Sequence, residues 1–463
     1  PEEFLKTAEH VCIGEYEFAI LDLVQGKNPQ QIAGIYPNDR GELIDINRLP
    51  FPEDDDVSRI DYHEPNCRYK QIQMYGSRGC PRRCNFCAAA TLYYDELNWR
   101  PRNVDDVVKE IQILHEKYPE MEGVFFDEEV HNIKKSFNIS LAKAIRQAGL
   151  QDLKYEAMCE YASLDEEAME EMREAGYYKI RFGIETGSDR VAEKMTLGKK
   201  HDLKKLKSMV EYGKSIGMLF YGTISIGGLG SDKDEDQKTV DLVYDLAAKG
   251  WLDEIQVSIN TPQPGTDFYD SCVEESLIPE SNDWEGFDGN GHVVVNYPHY
   301  PAEEIQASFR NALTAFDLGK GKAQEQAFAE NTNTSIIPAR SRILILRCVR
   351  SWMIRLILEN LHPKNKADVL GQDISLNDLK DISGLEEFYS YGSGFFAAES
   401  FTSELIQKLK ERQYDLVLIP VANNHLEGFH NVLEVAHLIE PANISYVYPE
   451  GCIQPAEDSP VSI

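Results

Sequence analysis

The sequence predicts an α/β protein of two parallel-sheet units, a partial (β/α)6 barrel followed by a smaller doubly wound sheet, and three observations support this. Strand-length apolar runs recur at Gln71–Gly76, Gly123–Asp127, Tyr155–Cys159, Lys179–Glu185, Phe220–Gly227 and Glu254–Asn260. Amphipathic helical patterns separate them, at Val104–Tyr118, Phe137–Ala148, Glu166–Ala175, Lys204–Ile216 and Asp234–Ala248, and Gly149, Gly176, Gly217 and Gly250 stand after four of them as stop signals. The alternation then resumes beyond a polar stretch, with strands expected at Arg342–Arg347, Ala367–Gly371, Glu387–Tyr391, Tyr414–Pro420 and Ile444–Tyr448 and helices at Ser400–Arg412 and Leu426–Ile439. Right-handed crossovers make a curved parallel array of the first six strands, and a doubly wound sheet of the later ones.

The boundaries follow in chain order. Residues 1–30 hold Val11-Cys12-Ile13-Gly14-Glu15-Tyr16-Glu17 and a helix running through Val24, and 31–69 read as a linker with Ile35-Tyr36 and Leu49-Pro50-Phe51-Pro52. Residues 70–300 are the barrel. Residues 301–337 comprise a helix, Ala302–Leu318, and a polar linker, Gly319–Ile337; residues 338–463 form the second unit. From Ser335 to Lys366 seven basic residues face one acid, Glu359, an island suited to phosphate or anionic lipid headgroups, or to arginine stems lying on the sheet with their heads in water.

Composition narrows the function. A chain of 463 residues exceeds what one core organises, which suggests two to four units. Lys and Arg total 47 against 78 Asp and Glu, a net charge of −31, so the surface repels phosphate backbones and disfavours nucleic acid as a partner. Nine cysteines form no disulfide framework, which fits a reducing cytosol and a cytoplasmic protein. No signal peptide is visible and no apolar run reaches the ~20 residues that span a bilayer; the longest, Ile343 to Leu358, is broken by Arg347, Arg350 and Arg355.

Chemistry concentrates in Gly79-Cys80-Pro81-Arg82-Arg83-Cys84-Asn85-Phe86-Cys87, directly after the first strand and at the carboxyl end where barrels of this type place their sites. The C-x3-C-x2-C spacing of Cys80, Cys84 and Cys87 provides one thiolate fewer than a four-iron cube takes, leaving an iron open to a small molecule. The same thiolates also suit zinc. Of the other six cysteines, Cys159 reads as a small buried hydrophobe and not as a fourth ligand.

This stretch resembles the signature of the radical SAM superfamily, and four further spots resemble its elements in the family's order. The resemblance implies a [4Fe-4S] cluster on Cys80, Cys84 and Cys87, S-adenosylmethionine on its open iron, and Phe86 near the adenine. Phe125-Phe126-Asp127-Glu128-Glu129 stands in place of the glycine-rich motif that contacts the methionine amino group, with Asp127 and Glu128 as its acids; a solvated acidic loop is the bland alternative. Glu160, after Met158-Cys159, is expected at a ribose hydroxyl. Gly183-Ile184-Glu185-Thr186-Gly187-Ser188 resembles the Gly-x-Glu-Ser turn, with Glu185 near SAM or in a structural ion pair. Gly227 and Gly228 would let the fifth strand approach the adenine.

Thr261-Pro262-Gln263-Pro264-Gly265-Thr266 is similar to the element that follows the last strand in cobalamin-linked radical SAM enzymes and methylthiotransferases. Residues 1–30 resemble the end of a cobalamin-binding Rossmann domain without its Asp-x-His-x-x-Gly loop, and the chain opens at Pro1. The expectation is therefore a truncated class-B-like enzyme whose full-length parent binds cobalamin while this chain does not. The Rossmann-like second unit weakly resembles the amino-terminal lobe of heptosyltransferase-like glycosyltransferases, in Arg342–Arg347 and Gln413-Tyr414-Asp415-Leu416-Val417. The resemblance implies reductive cleavage of SAM to a 5′-deoxyadenosyl radical, used in cobalamin-dependent methylation or rearrangement of a small-molecule, lipid or glycan substrate, with flavodoxin or ferredoxin as electron donor. A methylthiotransferase and a zinc-stabilised scaffold are the alternatives.

Overall fold

The computed structural model describes residues 1–456 except 3, 65, 198–200, 279–283, 285, 380–381, 394–395, 423–425 and 427–428. Two compact units divide the chain, 1–319 and 320–463.

The first unit is organised by six parallel strands, β1 (Gln71–Met74), β2 (Gly123–Phe126), β3 (Lys154–Cys159), β4 (Tyr177–Glu185), β5 (Leu219–Ile226) and β6 (Glu254–Ile259), adjacent in chain order with β1 and β6 at the two edges. That sequential order is what right-handed crossovers to neighbouring strands produce. Helix α1 (Glu17–Val24) precedes the sheet, and the crossovers carry α2 (Val104–Lys117), α3 (Lys135–Gln147), α4 (Glu166–Glu174), α5 (Asp189–Lys194), α6 (Leu203–Ser215) and α7 (Lys233–Ala248). Their apolar faces explain their docking. In α2, Val107, Val108, Ile111 and Leu114 recur every three or four residues and are all buried, as are Leu206, Met209 and Val210 in α6. Side-chain caps set the starts: Asp165, Ser188, Asp202 and Asp232 each accept a first-turn backbone N–H.

On the strands, alternate residues of β3 and β4 place Glu156, Lys179 and Arg181 together away from the helices. Lys179 is fully buried and held by Glu156 at 3.2 Å and Glu254 at 2.9 Å, while Arg181 pairs with Glu156 at 2.9 Å and lies over the rings of Phe125 and Tyr221. The segment before β1 completes the network: the Asn66 carbonyl accepts from Lys179, and Arg68 pairs with Glu254. A buried pair of this kind is strongly destabilised when one member is removed, by about 3–5 kcal/mol.

Three differences from the sequence expectations follow, the first two with physical reasons. The predicted linker Gly319–Ile337 is largely helix, because α9 runs unbroken over Ala302–Asn331. Its residues are mostly strong helix formers, and Gly319 is required by close packing: a Cβ there would stand 2.7 Å from the Ala247 Cβ and 2.8 Å from the Tyr244 carbonyl oxygen on α7. Short α5 and α8 (Asp267–Glu274) lie outside the predicted helices; six and eight residues are too few for a clear period. Where the end of a Rossmann sheet was expected, described residues 1–70 contain α1, several single 3-10 turns and one isolated bridge, Cys12 to Ile35, but no strand.

The second unit has strands β7 (Arg342–Leu346), β8 (Lys366–Gly371), β9 (Leu385–Ser390), β10 (Leu416–Pro420), β11 (Ile444–Val447) and β12 (Ile453–Pro455) in the order β9-β8-β7-β10-β11-β12, parallel except for β12. The order reverses at β7, which defines a doubly wound sheet. The arginine-interrupted run splits into β7 and α10 (Ser351–Asn360), whose Met353, Ile354, Ile357 and Leu358 are buried. Helices α11 (Ser403–Glu411) and α12 (His430–Leu438) fall within the expected Ser400–Arg412 and Leu426–Ile439, of which residues 427–428 lie outside the described residues. No helix among the described residues is long and apolar enough to cross a membrane.

Candidate active site

The cysteine loop leaves the carboxyl end of β1, and successive residues are fastened by acids from other elements. Glu128, just beyond β2, accepts the backbone N–H of Gly76 at 2.6 Å and that of Ser77, and its other oxygen meets Nδ1 of buried His131. Glu129 accepts the Gly79 N–H at 3.0 Å and the Tyr94 hydroxyl at 2.5 Å. Arg78 pairs with Glu15 and Glu17, tying the amino-terminal segment to the loop's start. Arg82 forms a two-pronged pair with Glu160 at the end of β3, at 2.9 and 2.5 Å, and Ser163 donates to the same carboxylate at 2.6 Å. Arg83 pairs with Asp267 on α8 at 3.1 Å.

The distal half of the loop rests on the two unpredicted helices. Asn85 donates from its backbone to the Met195 carbonyl at 3.1 Å and accepts the Phe268 N–H at 2.8 Å. Phe86 and Cys84 pack against Val191, Ala192, Met195 and Leu197, and the Cys84 Sγ meets the Leu197 carbonyl. The Thr261–Thr266 segment acquires a structural meaning here: Thr266 caps α8 by accepting the Tyr269 N–H, which sets Asp267 and Phe268 against the cysteine loop.

The three thiols therefore share one anchored loop. Burial pushes the Cys80 thiol up to about 11, opposed by the Arg82 backbone N–H on its sulfur and reinforced by Cys87 and Glu160. Such a thiol ionises when a metal ion takes it, because coordination overrides the burial penalty. Among the described residues no three His, Cys, Asp or Glu side chains already converge on one point; what links the three thiols is the loop they share. Soft thiolates, backed by backbone N–H groups and a cation, suit an iron–sulfur cluster. Cys159, the last residue of β3, is buried in the core, as expected of a small hydrophobe.

The acids expected to contact SAM have different surroundings. Glu128 and Glu160 are both buried and their oxygens are occupied, by the Gly76–Ser77 backbone and His131 in one case and by Arg82 and Ser163 in the other, so both brace the loop. Asp127 is exposed at the carboxyl end of β2, and among the described residues its carboxylate makes no hydrogen bond or ion pair. Partial burial nevertheless raises its carboxyl, with Arg181 opposing and Glu64, Glu128 and Glu129 adding. Glu185 ends β4 at φ +64°, beside a register shift between Gly183 and Glu185. A glutamate in that left-handed region is an outlier of the kind that accompanies functional sites, and a bulge re-aims the side chain. The site thus brings Phe86, Asp127 and Glu185 to the carboxyl ends around the loop.

Gly227 and Gly228 face protein on the sides where a Cβ would project. At Gly227 (φ +74°) it would meet Ile305 at 2.9 Å, and at Gly228 it would run into Met195. Beneath this turn lies Asp236, a residue the sequence patterns did not single out, which accepts the Gly227 N–H and the Ser231 and Tyr300 hydroxyls at 2.9–3.0 Å. Complete burial pushes its carboxyl up to about 6, against those three donors. The available signal was its place in the first turn of α7, immediately after the glycine-rich strand end.

Comparison with known proteins agrees with this geometry. The sequence profile of the radical SAM superfamily matches residues 74–243, which hold the cysteine loop, Asp127, Glu160 and Glu185. An uncharacterized methyltransferase of Pyrococcus horikoshii is 27% identical over 322 residues, 66% of this chain and 67% of its own length. Cytidylyl-2-hydroxyethylphosphonate methyltransferase of Streptomyces wedmorensis is 27% identical over 272 residues, 56% of this chain and 50% of its length. The chain thus spans between half and two thirds of these relatives. Among solved structures, the cobalamin-dependent S-adenosylmethionine radical enzyme OxsB, with aqua-cobalamin and S-adenosylmethionine bound, superimposes with a TM-score of 0.52 at 13% identity over 71% of this chain and 53% of its own, a likeness of fold. With the cysteine loop following β1 of a six-stranded parallel array and the superfamily profile spanning that loop through α7, residues 74–243 form a radical SAM domain.

Proposed function

We propose that this chain is a radical SAM methyltransferase in which Cys80, Cys84 and Cys87 hold a [4Fe-4S] cluster and Asp127 and Glu185 address S-adenosylmethionine. The observation that carries the reading is the division of labour among the acids: Glu128, Glu129 and Glu160 are occupied in bracing the cysteine loop, and Asp127 stands beside them exposed. When bound, the cluster and SAM supply a 5′-deoxyadenosyl radical by one-electron cleavage of the sulfonium, chemistry that belongs to the cofactors.

The chain's own residues orient and enclose. Asp127 offers a carboxylate to an ammonium group, a charge-assisted contact worth about 1.5–3 kcal/mol. Phe86, fixed on α5 by Val191 and Met195, provides a flat apolar surface next to the third cysteine. Relatives named as methyltransferases support methyl transfer as the outcome, and in this reading the substrate is a small molecule.

Anaerobic reconstitution tests the reading. About four irons and four sulfides per chain are expected, with 5′-deoxyadenosine formed from SAM under a strong reductant. Stoichiometric zinc in place of iron, or SAM turnover unchanged after alanine replaces all three cysteines, overturns it.

A further inference from the structure

The Arg82–Glu160 pair combines features that bracing alone does not require. Glu160 is 3% exposed, and its two oxygens grip the guanidinium in a fork that leaves Arg82 little freedom. Arg82 lies between the first two cysteines of the motif and interacts electrostatically with both Cys80 and Cys84, while its backbone N–H reaches the Cys80 sulfur. Around it the loop is collared by carboxylates, Glu15, Glu128, Glu129 and Asp267. Every negative charge near an iron–sulfur centre opposes the arrival of an electron, and a cation or an N–H donor near the sulfurs favours it.

We propose that the Arg82–Glu160 pair sets the reduction potential of the cluster, with Glu160 fixing both the position and the effective charge of the Arg82 guanidinium beside the cysteine sulfurs. The inference rests on the reading that Cys80, Cys84 and Cys87 hold such a cluster. In an acidic collar, this cation makes the centre easier to reduce, and its buried partner limits how much easier. Glu160 is accordingly a positioning residue and not a ribose contact.

The test is a potentiometric titration of the reconstituted chain, followed by electron paramagnetic resonance of the reduced cluster, beside iron counts and thermal melting of each variant. Glu160→Gln keeps an acceptor for Arg82 and removes its countercharge, so the midpoint moves to more positive potential. Arg82→Gln leaves Glu160 uncompensated, so the midpoint moves to more negative potential. The double variant removes both charges and returns close to the wild type. Opposite shifts that cancel are the signature of charge, since a structural clasp would lower iron content or melting temperature in every variant and leave the midpoint of the assembled fraction unmoved. Unmoved midpoints, or two single variants shifting in the same direction, overturn the proposal. So does loss of the cluster in both single variants, which would make the pair a clasp. A wild-type chain that takes up no iron overturns the functional reading as well, and is told apart from the other outcomes by the iron count.

Discussion

The two parallel sheets of this protein place their polar networks differently, and the difference identifies the working end. In the second unit Asp368, in the amino-terminal half of β8, is 1% exposed and accepts from the Tyr414 hydroxyl at 2.7 Å and from Arg412 at 3.2 Å, and Arg412 reaches on to Glu387 of β9. That network joins neighbouring strands near their starts. The first unit has a counterpart in Glu156, Lys179, Arg181 and Glu254, but it adds a collar of acids at the carboxyl ends, all directed at one loop. Polar groups near the amino ends of parallel strands hold a sheet together, whereas groups at the carboxyl ends are available for chemistry.

Mutations at the two ends therefore have separable consequences. The largest effect is expected at the loop: Cys80→Ala should abolish iron uptake and SAM cleavage while leaving the far-ultraviolet dichroism intact, and iron analysis with product chromatography reads both. Next comes Asp368→Ala, which strands a buried tyrosine hydroxyl and half-frees an arginine. It should lower stability by about 3 kcal/mol in denaturant titration with iron content per folded chain unchanged; a matching fall in iron would erase the contrast between the sheets.

A third prediction sharpens the contrast within the collar. Asp127→Ala should weaken SAM binding by about tenfold or more, as loss of a charge-assisted contact implies, without changing the cluster's absorption. Glu128→Gln should instead lower cluster occupancy, because the Gly76 and Ser77 N–H groups lose a charged acceptor. Equal loss of SAM affinity in both variants would show that Glu128 is not confined to bracing. A fourth effect, on stability alone, is at Asp236, whose carboxyl is pushed up to about 6 in the fold against 3.8 unperturbed. The folded state holds that proton more tightly than the unfolded chain, so the contribution is fully present below pH 4 and is lost as pH rises through 6. Asp236→Asn should flatten the stability profile between pH 4 and 7 by roughly 2–3 kcal/mol, measured as urea midpoints across that range.

Patterns short enough to be local were legible from the chain. Strands such as Glu254–Ile259 and helices such as Val104–Lys117 lie within one or two residues of where apolar periodicity puts them, because a strand or an amphipathic helix advertises its buried face in its own spacing. The cysteine motif was legible for the same reason: its ligand spacing is contained in eight consecutive residues, Cys80 to Cys87. What the fold alone decided is which acid does what. Asp127, Glu128 and Glu129 are adjacent and chemically near-identical in sequence, yet one is exposed and two are consumed by backbone N–H groups about fifty residues away. Glu160 meets Arg82 only because β1 and β3 end at the same face of the sheet, and α5 and α8, too short to announce themselves, matter because they close on the loop. Residue type and spacing fix the chemistry a segment can offer; the partners that occupy or spare each group come from distant segments, and packing alone brings those to the same place.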